Sequence, residues 1–339
     1  MKPYDELTFR GQILRLRQLC LKALEAYPIE VARVRYLTTA STTMFRVDAR
    51  DGQKYVFRLY SEQDSSLAEN EAEMFWLSAL ARETDLPVVQ PVARTDGVYL
   101  SFVSVAGVPG EKRCALYRWV PGVPLEEHVS PKTFGQLGVL MAGLHNHAQG
   151  LRIPSRIRPK RWDRVFYFPG EQAVFHRPAY AHLFTPEQVR TLDRACALLD
   201  PFLAGLYGRG ERPFIIHGDL NLWNVHIYRG KLYLLDFEDM VMGFPAQDIA
   251  ICLYYLRNAS NYTELATAFQ AGYTTARAWP SLSESDLHRL WAARMVNFAN
   301  YAAYAENAFD TDEETREFIN TRCEELEGLL ALEKPVSKT

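Results

Sequence analysis

Two short stretches hold the residue types on which chemistry could rest: His217-Gly218-Asp219-Leu220-Asn221-Leu222-Trp223-Asn224, and Leu234-Leu235-Asp236-Phe237-Glu238-Asp239. Phosphoryl transfer from ATP asks a protein for positioning and charge. It needs a base for the attacking hydroxyl and oxygen ligands for the magnesium ions that bridge the phosphates. Asp219 can accept a hydroxyl proton, and Asn224, five residues on, can offer an amide oxygen to a metal. The apolar run before Asp236 reads as a strand of a hairpin, and it delivers a carboxylate of the kind magnesium takes. An H-x-D or a D-F alone is commonplace, but the two with an Asn at the fifth position and an Asp about a dozen residues later form a far rarer combination. The same residues could serve a metal hydrolase through His217, Asp219 and Asp236. That class usually needs more histidines, and the one nearby, His226, sits in an apolar strand and reads as structural. His217 itself reads as a brace for the loop. Asp248, in Pro245-Ala246-Gln247-Asp248, either caps the next helix or accepts backbone N–H groups of the loop, and bracing is the favoured role. Asp239 could reach substrate or metal, or face solvent.

The elements that must position these residues fall into two patterns. Residues 9–27 carry leucines near helical spacing and end at Pro28. Strand-like segments follow at 31–37, 44–47 and 54–60, the last two joined by Asp51-Gly52. A helix is expected over 67–81, then strands at 98–103 and 114–120 before the turn Pro121-Gly122. Three strands, a helix and two strands make a small antiparallel sheet with one helix packed on it. From Ser130 the chain turns helical: 130–147, 186–204, 246–257, 262–276, 285–308 and 312–332. Segment 150–180 is irregular, and a compact β-rich insert covers 214–216, 225–228 and 231–235, with Arg229-Gly230 as its turn. The expected fold class is α+β. The expected organisation is an N-terminal helical extension at 1–28, an N-terminal lobe at 29–120 and a helical C-terminal lobe at 121–339.

The spacing His217, Asp219, Asn224 matches the kinase catalytic loop H-x-D-x-x-x-x-N, and Asp236-Phe237-Glu238 stands at the D-F-G position. Together with Tyr55–Tyr60, Glu73-Met74-Phe75-Trp76-Leu77, Leu86-Pro87-Val88, Arg118-Trp119-Val120-Pro121-Gly122, Gly143-Leu144-His145 and Arg158–Asp163, these motifs resemble the aminoglycoside phosphotransferase and choline kinase-like family. The likeness runs from about Val31 to Leu332 and leans to the bacterial branch of type II homoserine kinases and stress-response kinases. The resemblance implies a bilobal protein-kinase-like fold with ATP between the lobes. It implies Asp219 as base, Asn224 and Asp236 as magnesium ligands, and Glu73 paired with a cation on the third strand. That cation is Arg58 where the family often has Lys, and its charge and bidentate grip preserve the role. Val56, two residues before Arg58 on the same strand face, would pack on adenine. Ser41, Thr42 and Thr43 stand where the phosphate-covering loop falls, without its glycines, and hydroxyl and backbone donors could still meet phosphate there. Tyr117 and Trp119 lie in the stretch that resembles the adenine-facing hinge.

Composition excludes other classes. A net charge of −3 over 339 residues gives no basic surface for nucleic acid. The five cysteines are scattered, with no C-x-x-C, which argues against a disulfide framework or zinc site and suits a reducing cytoplasm. The start MKPYDELTFRGQ has no apolar signal-peptide core, and no uninterrupted apolar run approaches the roughly 18 residues of a membrane span. The expected partners are therefore ATP, Mg2+ and a hydroxyl-bearing acceptor. Arg294, Asn297, Tyr301 and Tyr304 recur at helical spacing and could line an acceptor face, though the two tyrosines fit core or interface positions better. The basic run Arg152, Arg156, Arg158, Lys160, Arg161 could draw an anionic acceptor or simply be solvated. Three functions remain open: a small-molecule kinase acting on an amino alcohol, aminoglycoside or homoserine-like hydroxyl; a protein Ser/Thr kinase of the stress-response type; and a nucleotide-binding module without turnover. The last is disfavoured because Asp219, Asn224 and Asp236 are all present.

Overall fold

Apolar residues at every second position of three consecutive segments build β1 (Val31–Thr39), β2 (Thr42–Ala49) and β3 (Lys54–Tyr60), which pair antiparallel in sequence order. The computed structural model describes residues 2–39, 42–62, 65–168, 170–305 and 309–332. The chain divides into two compact units: Met1–Val129 with Leu151–Pro159 and Leu222–Glu238, and Ser130–Gly150 with Lys160–Asn221 and Asp239–Thr339.

In the first unit, β6 (Lys112–Arg118) adds to β3, and the short β4 (Pro91–Val92) and β5 (Ser101–Val103) both pair with β6. Helix α1 (Phe9–Leu24) lays Leu16, Leu19, Cys20, Ala23 and Leu24 into one core with Val34, Phe45, Val47, Phe57 and Leu116 of the sheet. Helix α2 (Leu67–Glu83) starts with a capping box, Ser66 and Glu69 satisfying each other's backbone N–H groups, and buries Glu73, Trp76, Leu77 and Leu80.

A second, three-stranded sheet in the same unit joins β7 (Val123–Pro124), β9 (Val225–Tyr228) and β10 (Lys231–Leu234). Arg229 (φ 50°) and Gly230 (φ 77°) make the two-residue turn of the β9–β10 hairpin. Positive φ at both central residues gives the twist that such a hairpin needs. Gly122 must be glycine, because a Cβ there would sit 2.3 Å from the Ile227 carbonyl oxygen.

The second unit is mainly helical: α3 (Pro131–Gly150), α4 (Pro186–Leu206), α5 (Pro245–Tyr254), α6 (Tyr262–Thr274), α7 (Glu284–Tyr304) and α8 (Asp312–Leu332). Helices α3 and α6 touch backbone to backbone: a Cβ on Gly272 would lie 1.9 Å from the Gly135 carbonyl oxygen, and one on Gly138 would lie 2.1 Å from that of Phe269. In this unit β8 (Phe214–Ile216) pairs antiparallel with β11 (Val241–Gly243).

The α+β expectation holds, with an antiparallel sheet early and helices late. Three details differ. The β-rich insert is two separate pairings, β8 with β11 and β9–β10 with β7, because β8 and β9 are separated by the loop that carries the motif. The expected strand at 98–103 shortens to Ser101–Val103. The two- and three-residue strands β4, β7 and β11 were not expected at all, since segments that short carry no periodic signal. The region 150–180 is irregular as expected, ending in 3-10 turns at Val174–His176 and Pro178–Leu183. No helix among the described residues is long and apolar enough to cross a membrane, and all five cysteines are free.

Candidate active site

In the first unit, Arg58 is the centre of a charged cluster. It is 5% exposed and points from β3 at three carboxylates. Its Nη1 lies 3.4 Å from Glu73 Oε1, and its Nη2 lies 2.8 Å from Asp236 Oδ1 and 3.2 Å from Glu238 Oε2. Burial opposes the guanidinium charge, but Asp236, Glu238 and Glu73 outweigh it and hold the proton more firmly than usual. Glu73 is 1% exposed on α2. Burial raises its carboxyl pKa in spite of Arg58. Tyr60 donates to its Oε2 at 3.0 Å and Tyr117 to its Oε1 at 2.9 Å, and the two hydroxyls lie 2.6 Å apart. The Tyr117 side chain is thus committed to Glu73.

The β9–β10 hairpin explains how Asn224 meets Asp236. Leu234 stands opposite Val225, and Leu235 N–H donates to the Asn224 carbonyl at 2.8 Å, so the residues flanking the hairpin's open end are neighbours. Asp236 then takes φ 55°, a left-handed conformation that a non-glycine residue seldom holds. Its side chain stays 39% exposed while Arg58 grips one oxygen. Two carboxylates, Asp236 and Glu238, converge on one guanidinium nitrogen. Hard oxygen donors of this kind fit a hard divalent cation.

Val56 is half-buried on the Arg58 face of β3, opposite Tyr117 in register. Trp119 N–H donates to the Lys54 carbonyl at 3.0 Å, and the Arg46 guanidinium lies 5.1 Å from the centre of its ring. Thr42 and Thr43 are the first residues of β2 and are buried. Thr42 Oγ1 accepts from Arg58 Nε at 3.3 Å, and Thr43 Oγ1 accepts from Thr39 at 3.2 Å. Ser41 lies outside the described residues.

In the second unit, β8 delivers His217, Gly218 and Asp219. Asp248, in the first turn of α5 and fully buried, accepts His217 N–H at 3.0 Å and Gly218 N–H at 2.9 Å. His145 Nε2 lies 3.0 Å from the same carboxylate, and its Nδ1 lies 2.8 Å from the Tyr273 hydroxyl. Burial pushes the Asp248 pKa up, but the His145 hydrogen bond and charge and the Gly218 N–H win, so it falls below the usual carboxylate value. Asp248 therefore braces the loop as well as starting a helix.

Gly218 has φ 80°, and a Cβ on it would lie 2.3 Å from the Asp239 carbonyl oxygen. Only glycine lets the two strand ends approach so closely. His217 is fully buried, and its Nδ1 accepts Asp219 N–H at 3.3 Å. That contact suits His217 to a bracing role. Among the described residues no three His, Cys, Asp or Glu side chains gather as a metal group.

Asp219 is held on both oxygens. Asn221 Nδ2 donates to Oδ2 at 2.9 Å, Tyr255 donates to Oδ1 at 3.3 Å, and Arg294 of α7 forms an ion pair with Oδ1. Arg294 also donates to the Tyr255 hydroxyl at 3.1 Å and stacks 4.5 Å over Phe298. Asn297 ties α7 to the irregular segment through the Val165 carbonyl, at 2.7 Å. Tyr301 and Tyr304 are not core residues: they are 49% and 39% exposed, and their rings meet edge-on. The basic run is not a simple solvated stretch either. Lys160 is buried against Phe168 and lies 3.6 Å from Asp239, and Arg161 stacks on Tyr207.

Sequence reasoning missed Tyr60, Glu238, His145, Tyr255 and the tie from Arg294 to Asp219. Tyr60, Glu238 and His145 stand inside motifs quoted from the sequence without a role, and Tyr255, the residue that ends α5, follows Asp248 by seven residues. Their contacts depend on pairings distant in sequence.

The chain is 23% identical over 299 residues to amicoumacin kinase of Bacillus subtilis (strain 168), covering 85% of this chain and 82% of that one. Among solved structures it resembles amicoumacin kinase hAmiN (TM-score 0.77, 17% identity, 95% and 96% of the two chains). It also resembles a microcompartment-associated aminopropanol kinase (TM-score 0.73, 20% identity, 93% and 98%). At these identities the structural likeness speaks for the fold, which is the protein-kinase-like one. Residues 34–284 match the phosphotransferase enzyme family, APH, and with that share of its length matched the chain belongs to that family.

Proposed function

We propose that this phosphotransferase moves the γ-phosphoryl group of ATP to a hydroxyl of a small molecule, with Asp219 as base and Asn224 and Asp236 as magnesium ligands. The observation that carries this reading is the restraint on Asp219: the backbone of the two residues before it is pinned by Asp248, and its carboxylate is fixed by Asn221, Tyr255 and Arg294. Five residues later the hairpin sets Asn224 beside the Asp236 turn. Asn224 and Asp236 would hold a magnesium ion there, and it would supply positive charge against the charge that develops in phosphoryl transfer. The hAmiN structure is a complex with AMP-PNP, Ca2+ and Ami, so that protein of the same fold binds a nucleotide analogue and a divalent ion together with Ami.

Asp219 orients the acceptor hydroxyl and takes its proton. The oxygen forms a bond to the γ-phosphorus, the bond from that phosphorus to the β–γ bridging oxygen breaks, and ADP leaves. Arg58, held by Glu73, supplies a fixed positive charge toward the phosphates from β3. Tyr60 and Tyr117 keep Glu73 in place. Val56 would face the adenine, Trp119 would border it, and Thr42 and Thr43 would flank the phosphate side through the start of β2.

The test is transfer of labelled γ-phosphate from Mg·ATP to amino alcohols, aminoglycosides, hydroxy amino acids and a generic basic protein, with Asp219→Asn as control. The variant should still bind Mg·ATP while turnover falls about 10²–10⁴-fold. Loss of ATP binding in the variant, or undiminished turnover, would remove Asp219 from the base role. Transfer to the protein alone would overturn the small-molecule reading.

A further inference from the structure

Two helices of the second unit frame Asp219. Helix α5 acts at both of its ends. Asp248 in its first turn accepts the His217 and Gly218 N–H groups, and Tyr255, which ends it, donates to Asp219 Oδ1 at 3.3 Å. Helix α7 brings Arg294 to the same oxygen. One turn earlier on α7, Trp291 Nε1 donates to the Ala250 carbonyl of α5 at 2.9 Å, which locks the two helices together beside the loop.

Arg294 is held in place. It is buried, its guanidinium carbon lies 4.5 Å over the Phe298 ring, and its Nη2 donates to the Tyr255 hydroxyl at 3.1 Å. Burial opposes its charge, but Tyr255, Asp219 and Tyr167 outweigh that and hold the proton more firmly than usual. Swinging away from Asp219 would strip a buried ion of its carboxylate, a hydroxyl and an aromatic face at once.

The hydroxyls nearby carry no charge of their own. Burial pushes those of Tyr255 and Tyr167 well above the ordinary tyrosine value, so both stay neutral. Of the other charged or titratable groups around the loop, Lys160 lies 3.6 Å from Asp239. Glu171, raised to about 7 by burial, feels Arg294. His217 meets Asp219 through the backbone, its Nδ1 accepting Asp219 N–H. A neutral donor orients a carboxylate. A cation in contact also favours its ionised form, by about 1–3 pH units. A general base needs both, because it must be unprotonated and well aimed when the acceptor hydroxyl arrives.

We infer that Arg294 is a positioning residue for phosphoryl transfer: its fixed charge on Oδ1 keeps Asp219 ionised and, together with Tyr255, sets the direction of the carboxylate. The inference rests on Asp219 as the base. Arg294, 75 residues further along the chain, acts on the chemistry through that base.

The experiment separates charge from hydrogen bonding. Arg294→Lys keeps the charge, and Arg294→Gln keeps a donor without it. The 13C signals of the aspartate carboxyl groups are titrated in the intact protein, and the signal missing from Asp219→Asn is that of Asp219. Arg294→Gln should raise its midpoint by about 1–3 pH units, and Arg294→Lys by less than half as much. Labelled γ-phosphate transfer from Mg·ATP is followed across the same pH range. Arg294→Gln should lose roughly tenfold at pH 6 and regain much of it toward pH 8, with KM for ATP unchanged. Tyr255→Phe is the milder variant should Arg294→Gln not fold. It keeps the charge, so its midpoint should stay near that of the wild type while kcat falls several-fold. A midpoint in Arg294→Gln equal to that of the wild type overturns the inference. So does Arg294→Lys shifting as far as Arg294→Gln, or Tyr255→Phe shifting by a full unit. Undiminished transfer in Asp219→Asn is a separate failure. It would sink the base reading, and this role with it, even with the midpoints shifted as expected.

Discussion

Arg58 shows how one residue type shapes its surroundings. A lysine would offer a point charge, whereas the guanidinium reaches Glu73, Asp236, Glu238 and Thr42 at once. Arg58→Met would leave Glu73 buried with only its two tyrosine donors and would free Asp236 from its anchor. Removing one partner of a buried ion pair costs about 3–5 kcal/mol, mostly because the remaining charge stays uncompensated. Urea unfolding should therefore show a loss of that order, with Arg58→Lys intermediate. A loss below about 1 kcal/mol would mean that the cluster is relaxed by solvent. At this scale the types and spacing of Asp219, Asn224, Asp236, Glu73 and Arg58 were legible in the sequence. Of their contacts, only the pairing of Arg58 with Glu73 was legible. Nothing near Asp219 in sequence announces Arg294, which lies 75 residues away along the chain. The hinge resemblance drew attention to backbone at Tyr117, and so its hydroxyl on Glu73 went unseen.

At the scale of elements, the loop after β8 is fixed by two devices that need each other. Asp248 accepts the N–H groups of His217 and Gly218, and Gly218 takes a left-handed conformation so that the Asp239 carbonyl can pass close by. Gly218→Ala would impose the strain of a positive φ on a residue with a Cβ and drive that Cβ into backbone. The expected cost is about 1–3 kcal/mol, together with a displaced Asp219. Turnover should fall by one or more orders of magnitude, since a shift near 1 Å at a reacting group costs roughly 10²-fold. The decisive comparison is between melting temperature and kcat. A variant that melts lower yet turns over normally would show that the loop relaxes without moving its aspartate. Long helices and hairpins of this chain were legible because their period repeats several times, and Arg229-Gly230 announced its turn by residue type. The strands β4, β7 and β11 were not, since two or three residues have no period, and their existence depends on partners that arrive from elsewhere.

At the scale of the whole molecule, stability should lean to mildly acid pH, and the sign follows from two groups with opposite shifts. Asp248 has its pKa lowered from an ordinary 3.8: burial raises it, but the His145 and Gly218 hydrogen bonds outweigh that effect. The stability that it contributes is present above its unfolded value and is lost as pH falls below it. Glu171 is raised from 4.5 to about 7, by burial first, against the Phe168 N–H and the Asn300, Asn297 and Arg294 interactions. Its folded form keeps a proton that the unfolded chain releases. Its contribution is therefore complete below pH 4.5 and lost as pH rises through 7. Across that window the shift corresponds to at most about 3 kcal/mol. Glu171→Gln keeps the shape and removes the titration. Its unfolding free energy should be flatter than that of the wild type between pH 5 and 7.5, the two curves converging toward the acid end. Parallel curves would mean that Glu171 ionises normally in the folded protein. The composition made a stable globular chain legible, but this pH profile was not, because it depends on which carboxyl the irregular segment tucks against α7.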